Sequence, residues 1–364
     1  MNNNLDSQSS VFIDKSEFLN FLNRHVDTID CMYCLQMPLG FGKTTIANMV
    51  ACYYSDRQDS LNYFSNLKIG QTPSFKDYQN KYQVIHLELK KIYKDYRYKE
   101  SATIAEFKEA LKQELLNAIP DNQKEKLKVN EDLNDFIYSI GQNTDCQFVF
   151  VIDDYDYLLY KFPYDHHLHD VYLGILSYLF KSSFAQICVS FALLTGIQPL
   201  KRFSDQCTLN NFYEISIFRT YQQDCIFGFS KEETLDYIEN SNVDFEFIRA
   251  QAGKYLVKEK ERFNPAFIKN ELFKDSRNHD FEFNDSFLKN KESTSIIEQL
   301  LDKKNYKLPF EMPSVSFNTL YNGYSTKALL TYLVYTGILT YDEISRLVYP
   351  TNESSILHLK TFLV

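Results

Sequence analysis

A doubly wound α/β domain on a mainly parallel sheet, followed by a mainly helical C-terminal domain, is the fold this sequence predicts. Three observations carry the expectation. Short β-rich segments alternate with helical ones as far as about residue 230, the pattern of βαβ units. Two of these segments, residues 147–153 (QFVFVID) and 187–195 (ICVSFALLT), are nearly unbroken apolar runs. Strands read that way when a parallel sheet is covered on both faces. Finally, only 10 glycines occur in 364 residues, yet two stand within three positions, directly before Lys43-Thr44 and between a strand and a helix.

The elements follow in order. Residues 1–10 (MNNNLDSQSS) are polar and expected to be loose. Residues 14–23 read as a short amphipathic helix. Strands are expected at 31–36 (CMYCLQ), 84–89 (VIHLEL), 147–153, 187–195 and 212–217 (FYEISI). A helix is expected at 45–54 and another at 101–119, where Thr103 and Glu106 have capping-box spacing. After residue 230 the character changes. Ser230 and Glu233 again suit a capping box, opening a helix to Ile238. Further helices are expected at 247–257, 266–273, 294–303, 326–335 and 341–347, with no strand alternation of comparable strength. The charged, Asn-rich stretch 275–293 reads as a loop. The expected organisation is a flexible N-terminus 1–10, an α/β domain 11–230 and a helical domain 231–364.

Composition narrows the function classes. The net charge of −9 argues against broad, non-specific nucleic-acid binding. The best apolar run, 187–200, is broken by Ser190 and Thr195 and falls short of the roughly 18 residues a membrane span needs. The N-terminus has neither the basic nor the apolar region of a secretory signal. Seven cysteines, an odd number lying mostly in apolar stretches, suit buried thiols in a reducing, cytoplasmic compartment. With 27 Tyr and 30 Phe but no Trp, the aromatic load is expected to go into the core.

The sharpest motif is Met37-Pro38-Leu39-Gly40-Phe41-Gly42-Lys43-Thr44-Thr45. Glycines let backbone N–H groups turn toward oxyanions, and a helix N-terminus adds its free N–H groups and positive dipole end. Lys43 is expected to reach the β/γ-phosphates of a bound nucleotide and the Thr44 hydroxyl to hold Mg²⁺. The pattern G-x-x-x-x-G-K-[ST] wants Gly at position 37, where this chain has Met. A partner motif ends the third strand, Val151-Ile152-Asp153-Asp154-Tyr155-Asp156. An apolar strand that delivers a carboxylate at its C-terminal end places it where Mg²⁺ sits beside phosphates. Asp153 is the expected metal-side carboxylate, Asp154 the expected water-orienting one, and Asp156 a brace for the following turn. Thr195, ending the fourth strand, is the candidate sensor of the γ-phosphate.

Five segments in order, residues 12–16 (FIDKS), 37–44, 151–156, 194–196 with 209–211, and 228–230 (GFS), resemble the AAA-ATPase-like family of P-loop proteins. Weaker likeness continues through Phe263-Asn264-Pro265, Ser293-Thr294-Ser295 and Tyr349-Pro350-Thr351-Asn352. That family also lacks the first glycine of the loop and has a Pro-containing stretch there, so Met37 conforms to it. The resemblance implies a P-loop NTPase fold, ATP rather than GTP, and residues 38–45 as the nucleotide cradle. Where the family has Asp-Glu, this chain has Asp153-Asp154. The family's aromatic-Asp-Gly-Tyr stretch survives only as Ala252-Gly253-Lys254-Tyr255. The nuclease-like domain of longer members is not expected in this chain, so no nuclease activity is implied.

Smaller constellations have blander readings. His166 with His169 or Asp170 offers no fourth metal ligand and reads as a solvated helix start. Cys31 and Cys34 have no second pair and sit in a strand expected to be buried. Lys201, Arg202 and Arg219 are the basic residues that could serve as an arginine finger. Residues 258–262 alternate in charge sign and read as a solvated face. The expected activity is Mg²⁺-dependent hydrolysis of ATP coupled to a conformational change. The alternative is a nucleotide-gated binding module that hydrolyses little, since Asp154 is one methylene shorter than the Glu it replaces. A protein partner and a homo-oligomer are both open, and no membrane partner is expected.

Overall fold

The computed structural model describes residues 13–57, 59–94, 104–129, 131–200, 209–216, 226–257, 259–273, 291–303, 306–307 and 326–363. Its centre is a five-stranded parallel sheet of β1 (Met32–Gln36), β2 (Gln83–Glu88), β3 (Phe148–Asp153), β4 (Val189–Gly196) and β5 (Tyr213–Ile215). The order across the sheet is β2-β3-β4-β1-β5. From β1 the chain crosses to the far edge, fills inward through β3 and β4, and steps back over β1 to β5. All five C-terminal ends therefore face one edge, and the connections that start there run outward on either side of β1, where open α/β sheets bind ligands.

The apolar runs explain the layering. Every residue of β1, β3 and β4 is buried, whereas the edge strand β2 mixes buried and half-buried positions. The helix Lys43–Tyr54 packs against β2, β3 and β4, and the helix Ile104–Ala118 against β2. The latter buries Phe107, Leu111, Leu115 and Ala118, one stripe at helical spacing. Asp132 caps the helix Leu133–Asn143 by accepting from Asn134 and Asp135 N–H. The aromatic load does go inward: the largest fully buried side chains are Tyr and Phe, among them Tyr53, Tyr54, Tyr155, Phe148 and Phe150. Cys31 and Cys34 are buried free thiols. The fourth strand begins later than its apolar run, because residues 187 and 188 finish the short helix Ser183–Cys188.

The C-terminal part opens as expected. Ser230 and Glu233 form a reciprocal capping box on the helix Lys231–Ile238. Glu233 also pairs with Lys15 at 2.7 Å, tying the N-terminal segment to this helix. The helices Pro265–Phe273, Lys291–Lys303 and Thr326–Thr336 fall close to their expected places, and Glu353–Lys360 closes the chain. Residues 291–293 begin a helix, not the loop expected for 275–293, whose remainder through 290 lies outside the described residues. Thr103, of the other expected capping box, also lies outside them.

Two expected helices are corrected. The first, 247–257, stops at Ala252, because Gly253 and the left-handed Lys254 (φ 68°) turn the chain into β6 (Tyr255–Val257). That strand pairs antiparallel with β7 (Lys260–Arg262), so the alternating-charge stretch is a hairpin arm whose Arg262 is buried. The second, 341–347, is a hairpin of β9 (Leu339–Asp342) and β10 (Leu347–Pro350), joined on its other side by β8 (Tyr306–Lys307). The Asp342 carboxylate accepts from Ile344 and Ser345 N–H, an Asx turn that reverses the chain, and Arg346 completes it at φ 57°. The part is still mainly helical. Its helix Thr326–Thr336 is buried along its length and shares one continuous core with the sheet. Among the described residues, no helix is long and apolar enough to cross a membrane.

Candidate functional site

The register of the sheet sets the site. Leu35 of β1 stands level with Thr195 of β4, and Ile152 of β3 with Leu194, so Asp153 ends its strand beside Thr195. The loop after β1 turns through Gly40 (φ 77°) and Gly42 (φ 90°), conformations that glycine adopts without strain. Gly42 is the N-cap of the helix Lys43–Tyr54. Among the described residues, the backbone N–H groups of Leu39, Gly40, Phe41, Gly42, Lys43, Thr44 and Thr45 make no hydrogen bond. A row of unpaired donors at a helix N-terminus is an anion cradle.

Lys43 is buried and curls back into this loop, its Nζ donating to Met37 O and Pro38 O at 3.2 Å each. Burial pulls its ammonium below the ordinary value, while Asp154, with Asp156 and Asp153, pulls the other way and Lys90 adds to the lowering. Thr195 Oγ1 donates to Asp153 Oδ1 and accepts from Asp154 N–H at 3.3 Å. The Thr44 hydroxyl lies near the Asp153 carboxylate. Burial pushes Asp153 above the usual carboxylate range, as does Asp154 beside it; Thr195, Thr44 and Lys43 oppose the rise. The sequence-predicted residues Lys43, Thr44, Asp153, Asp154 and Thr195 thus meet at one point. Pro38, Leu39, Phe41 and Thr45 line the loop that holds them.

Asp154 sits at φ 52°, a left-handed conformation uncommon for a residue with a side chain. Its Oδ2 pairs with Lys90 Nζ at 3.1 Å, and its buried Oδ1 has no partner. Lys90 belongs to the turn of helix after β2, and the sequence reading missed it. The only signal available was a lysine pair closing the second strand. Asp156 braces the structure as expected: its Oδ2 accepts from Ile197 N–H (2.9 Å) and Gln198 N–H (2.8 Å).

Burial first, and then Asp154, push Asp156 up to about 6. The folded state therefore holds this proton more tightly than the unfolded chain does, for which the ordinary value is near 3.9. The contribution is full below the unfolded value and is lost as pH rises through about 6. The nucleotide-free, metal-free protein should lose stability between about pH 4 and 6 from this group. Urea midpoints across that range are expected to flatten in Asp156→Asn; an unchanged slope would contradict the assignment.

Residues 166–170 open a helix. His169 ring nitrogen bonds Phe162 O at 2.9 Å, and Asp165 caps the helix His166–Lys181. Among the described residues, no group of three or more His, Cys, Asp or Glu could hold a metal ion. Lys201, Arg202 and Arg219 lie outside the described residues.

A family model described as "Predicted AAA-ATPase" matches residues 2–204, more than half of the chain. The chain belongs to this AAA-ATPase-like family. Two solved structures are similar to the AAA-ATPase-like chain along nearly its whole length. One is Cdc6p from Pyrobaculum aerophilum, at 12% identity, covering 91% of this chain and 87% of that one, with a TM-score of 0.35. The other is the ORC2 protein of Aeropyrum pernix, in ADPNP–ADP complexes, at 9% identity, covering 96% and 91%, also with a TM-score of 0.35. At that score neither likeness bears on what this chain does. No curated protein matches it.

Proposed function

We propose that this AAA-ATPase-like protein binds ATP with Mg²⁺ in the loop of residues 38–45 and hydrolyses it, coupling the reaction to a conformational change of its C-terminal part. One observation carries the reading: seven unpaired N–H groups, the Lys43 ammonium and the Asp153–Thr195 pair face one another at the C-terminal edge of the sheet. The N–H groups and Lys43 would hold the phosphates. Thr44 and Asp153 would hold the metal. A hydroxyl and a carboxylate are hard oxygen donors that suit Mg²⁺, which keeps several waters of its own. They fit in a second respect, since Asp153 is buried beside Asp154, whose buried Oδ1 has no partner. When bound, Mg²⁺ neutralises charge on the β- and γ-phosphate oxygens.

Asp154 would orient the attacking water through its unpartnered Oδ1, while Lys90 holds the carboxylate in place by pairing with Oδ2. Thr195, hydrogen-bonded to both acidic residues, would sense the γ-phosphate through them. The division into an ATPase domain at 11–230 and a C-terminal domain at 231–364 goes with this reading.

The alternative, a nucleotide-gated binding module read by a protein partner, is favoured by Asp154 itself. Its carboxylate is short and already tied to Lys90 on one oxygen. ATP binding and phosphate release with Mg²⁺, measured on wild type beside Asp154→Glu, separate the two. Turnover in the wild type establishes the ATPase. Binding without turnover, with release gained at least tenfold in Asp154→Glu, establishes the gated module. No binding at all sinks both.

A further inference from the structure

The outer side of the phosphate loop is gripped by the C-terminal part, through residues that the chemistry above does not use. Asn264 Nδ2 donates to Leu39 O at 3.1 Å, and Ala266 N–H donates to Gly40 O at 3.1 Å. Two consecutive loop carbonyls are thus held from outside, while the loop's N–H groups stay unpaired. The approach is close: a Cβ on Gly40 would lie 2.5 Å from Asn264 Oδ1. The loop's apolar residues are held as well. Phe41 stands edge-on to Tyr255 with ring centres 4.7 Å apart, and a Cβ on Gly337 would lie 2.9 Å from Pro38 Cβ.

These contacts connect to one another. Asn264 N–H donates to Ala252 O at 2.8 Å, and Asn352 Nδ2 donates to the next carbonyl, Gly253 O, at 3.3 Å. Asn352 caps the helix Glu353–Lys360 by accepting from Ser355 N–H at 3.0 Å, and Thr351 Oγ1 donates to Gly337 O at 2.9 Å. The weak motifs of the sequence, Phe263-Asn264-Pro265 and Thr351-Asn352, therefore converge on residues 38–41.

We propose that Asn264, joined to Asn352 through the Ala252 and Gly253 carbonyls, is a positioning residue that keeps the phosphate loop shaped for a nucleotide and passes its occupancy to the helix Glu353–Lys360. The proposal rests on the nucleotide reading above. Asn264 does two separable things. Its Oδ1 caps the helix Pro265–Phe273 by accepting from Ala266 N–H (3.0 Å) and Phe267 N–H (3.3 Å), and its Nδ2 holds the loop. Aspartate keeps the cap and loses the donor. Asn264→Asp thus separates positioning from structure, and Asn352→Asp likewise loses the donor to Gly253 O while keeping the cap on Ser355 N–H.

The test measures Mg²⁺–ATP affinity, the nucleotide-free urea midpoint, and the nucleotide-induced slowing of amide exchange over residues 350–357. Wild type is expected to bind and to slow exchange there. Asn264→Asp should bind about tenfold more weakly at an unchanged midpoint, the loss of one hydrogen bond to a loop that must be held. Asn352→Asp at saturating nucleotide should lose the slowing. If wild type binds and both variants match it in affinity and exchange, the proposal falls and the nucleotide reading stands. It falls likewise if Asn264→Asp weakens binding only in step with a lower midpoint while Asn352→Asp behaves as wild type. If wild type does not bind, the nucleotide reading falls and takes the proposal with it.

Discussion

Lys43→Ala is expected to weaken Mg²⁺–ATP binding by about 100-fold and to abolish phosphate release, without lowering the stability of the nucleotide-free protein. A charged hydrogen bond to a phosphate is worth about 1.5–3 kcal/mol, or about 10- to 100-fold in affinity. The upper end is expected here because of what remains. Three buried carboxylates, Asp153, Asp154 and Asp156, lie at this edge of the sheet, and Lys90, half in solvent, is already paired with Asp154. Removing Lys43 leaves a polyanion facing them with the backbone N–H groups alone. The stability half of the expectation follows from the sign of the Lys43 shift. Its ammonium is depressed, so burial costs it more than the carboxylates return. The checks are a fluorescent-nucleotide titration and thermal melts with and without Mg²⁺–ATP. A variant that retains wild-type affinity would remove Lys43 from the site.

Why these residues were readable and others were not has a physical basis. The demand on residues 40–44 is local. A backbone that must turn left-handed twice and then open a helix needs glycine, and the charge must follow at once, so the requirement is written in consecutive letters. Strands β1, β3 and β4 were equally legible, because burial on both faces leaves apolar residues at every position. The strands β6 to β10 carry no such mark. Each is two to four residues long, and their turns rest on single residues such as Asp342 and Lys254. A run that short has too few positions for its alternation to stand out against a helical pattern. Lys90 was invisible, and Asn264 was named without a role, for another reason. Neither sits in a motif whose spacing refers to the loop; only tertiary packing brings one beside Asp154 and the other beside Leu39. The aromatic composition was readable only as a sum, since burial assigns each ring its neighbours, as with Tyr155 under Gly196.

That last contact carries the largest expected effect on stability. Gly196 ends β4 in ordinary extended backbone, so its demand is for space. A Cβ there would lie 2.5 Å from Tyr155 Cε1 and 2.8 Å from Asp156 Oδ1. Neither neighbour is free to withdraw. The Tyr155 hydroxyl donates to Gln198 O, its N–H donates to Thr195 O at 2.9 Å, and its carbonyl accepts from the Tyr172 hydroxyl at 2.7 Å. Asp156 is held by two backbone N–H groups of the strand's own continuation. Relief would have to come from moving β4 away from the turn after β3, against the in-register pairing of Gln36 with Gly196. Overpacking of this kind costs typically 1–3 kcal/mol and more where nothing yields, so Gly196→Ala is expected to lose about 3 kcal/mol. Urea unfolding without nucleotide reads this directly, as a lowered midpoint at unchanged slope. Phosphate release should fall as well, because Asp153 and Asp154 ride on the turn that must shift. The two large effects are thus opposite in kind: Lys43→Ala removes binding from a stable protein, whereas Gly196→Ala removes stability first. A Gly196→Ala midpoint within about 0.5 kcal/mol of wild type would mean that Tyr155 moves freely, and that the turn carrying Asp153 and Asp154 is not rigidly joined to β4.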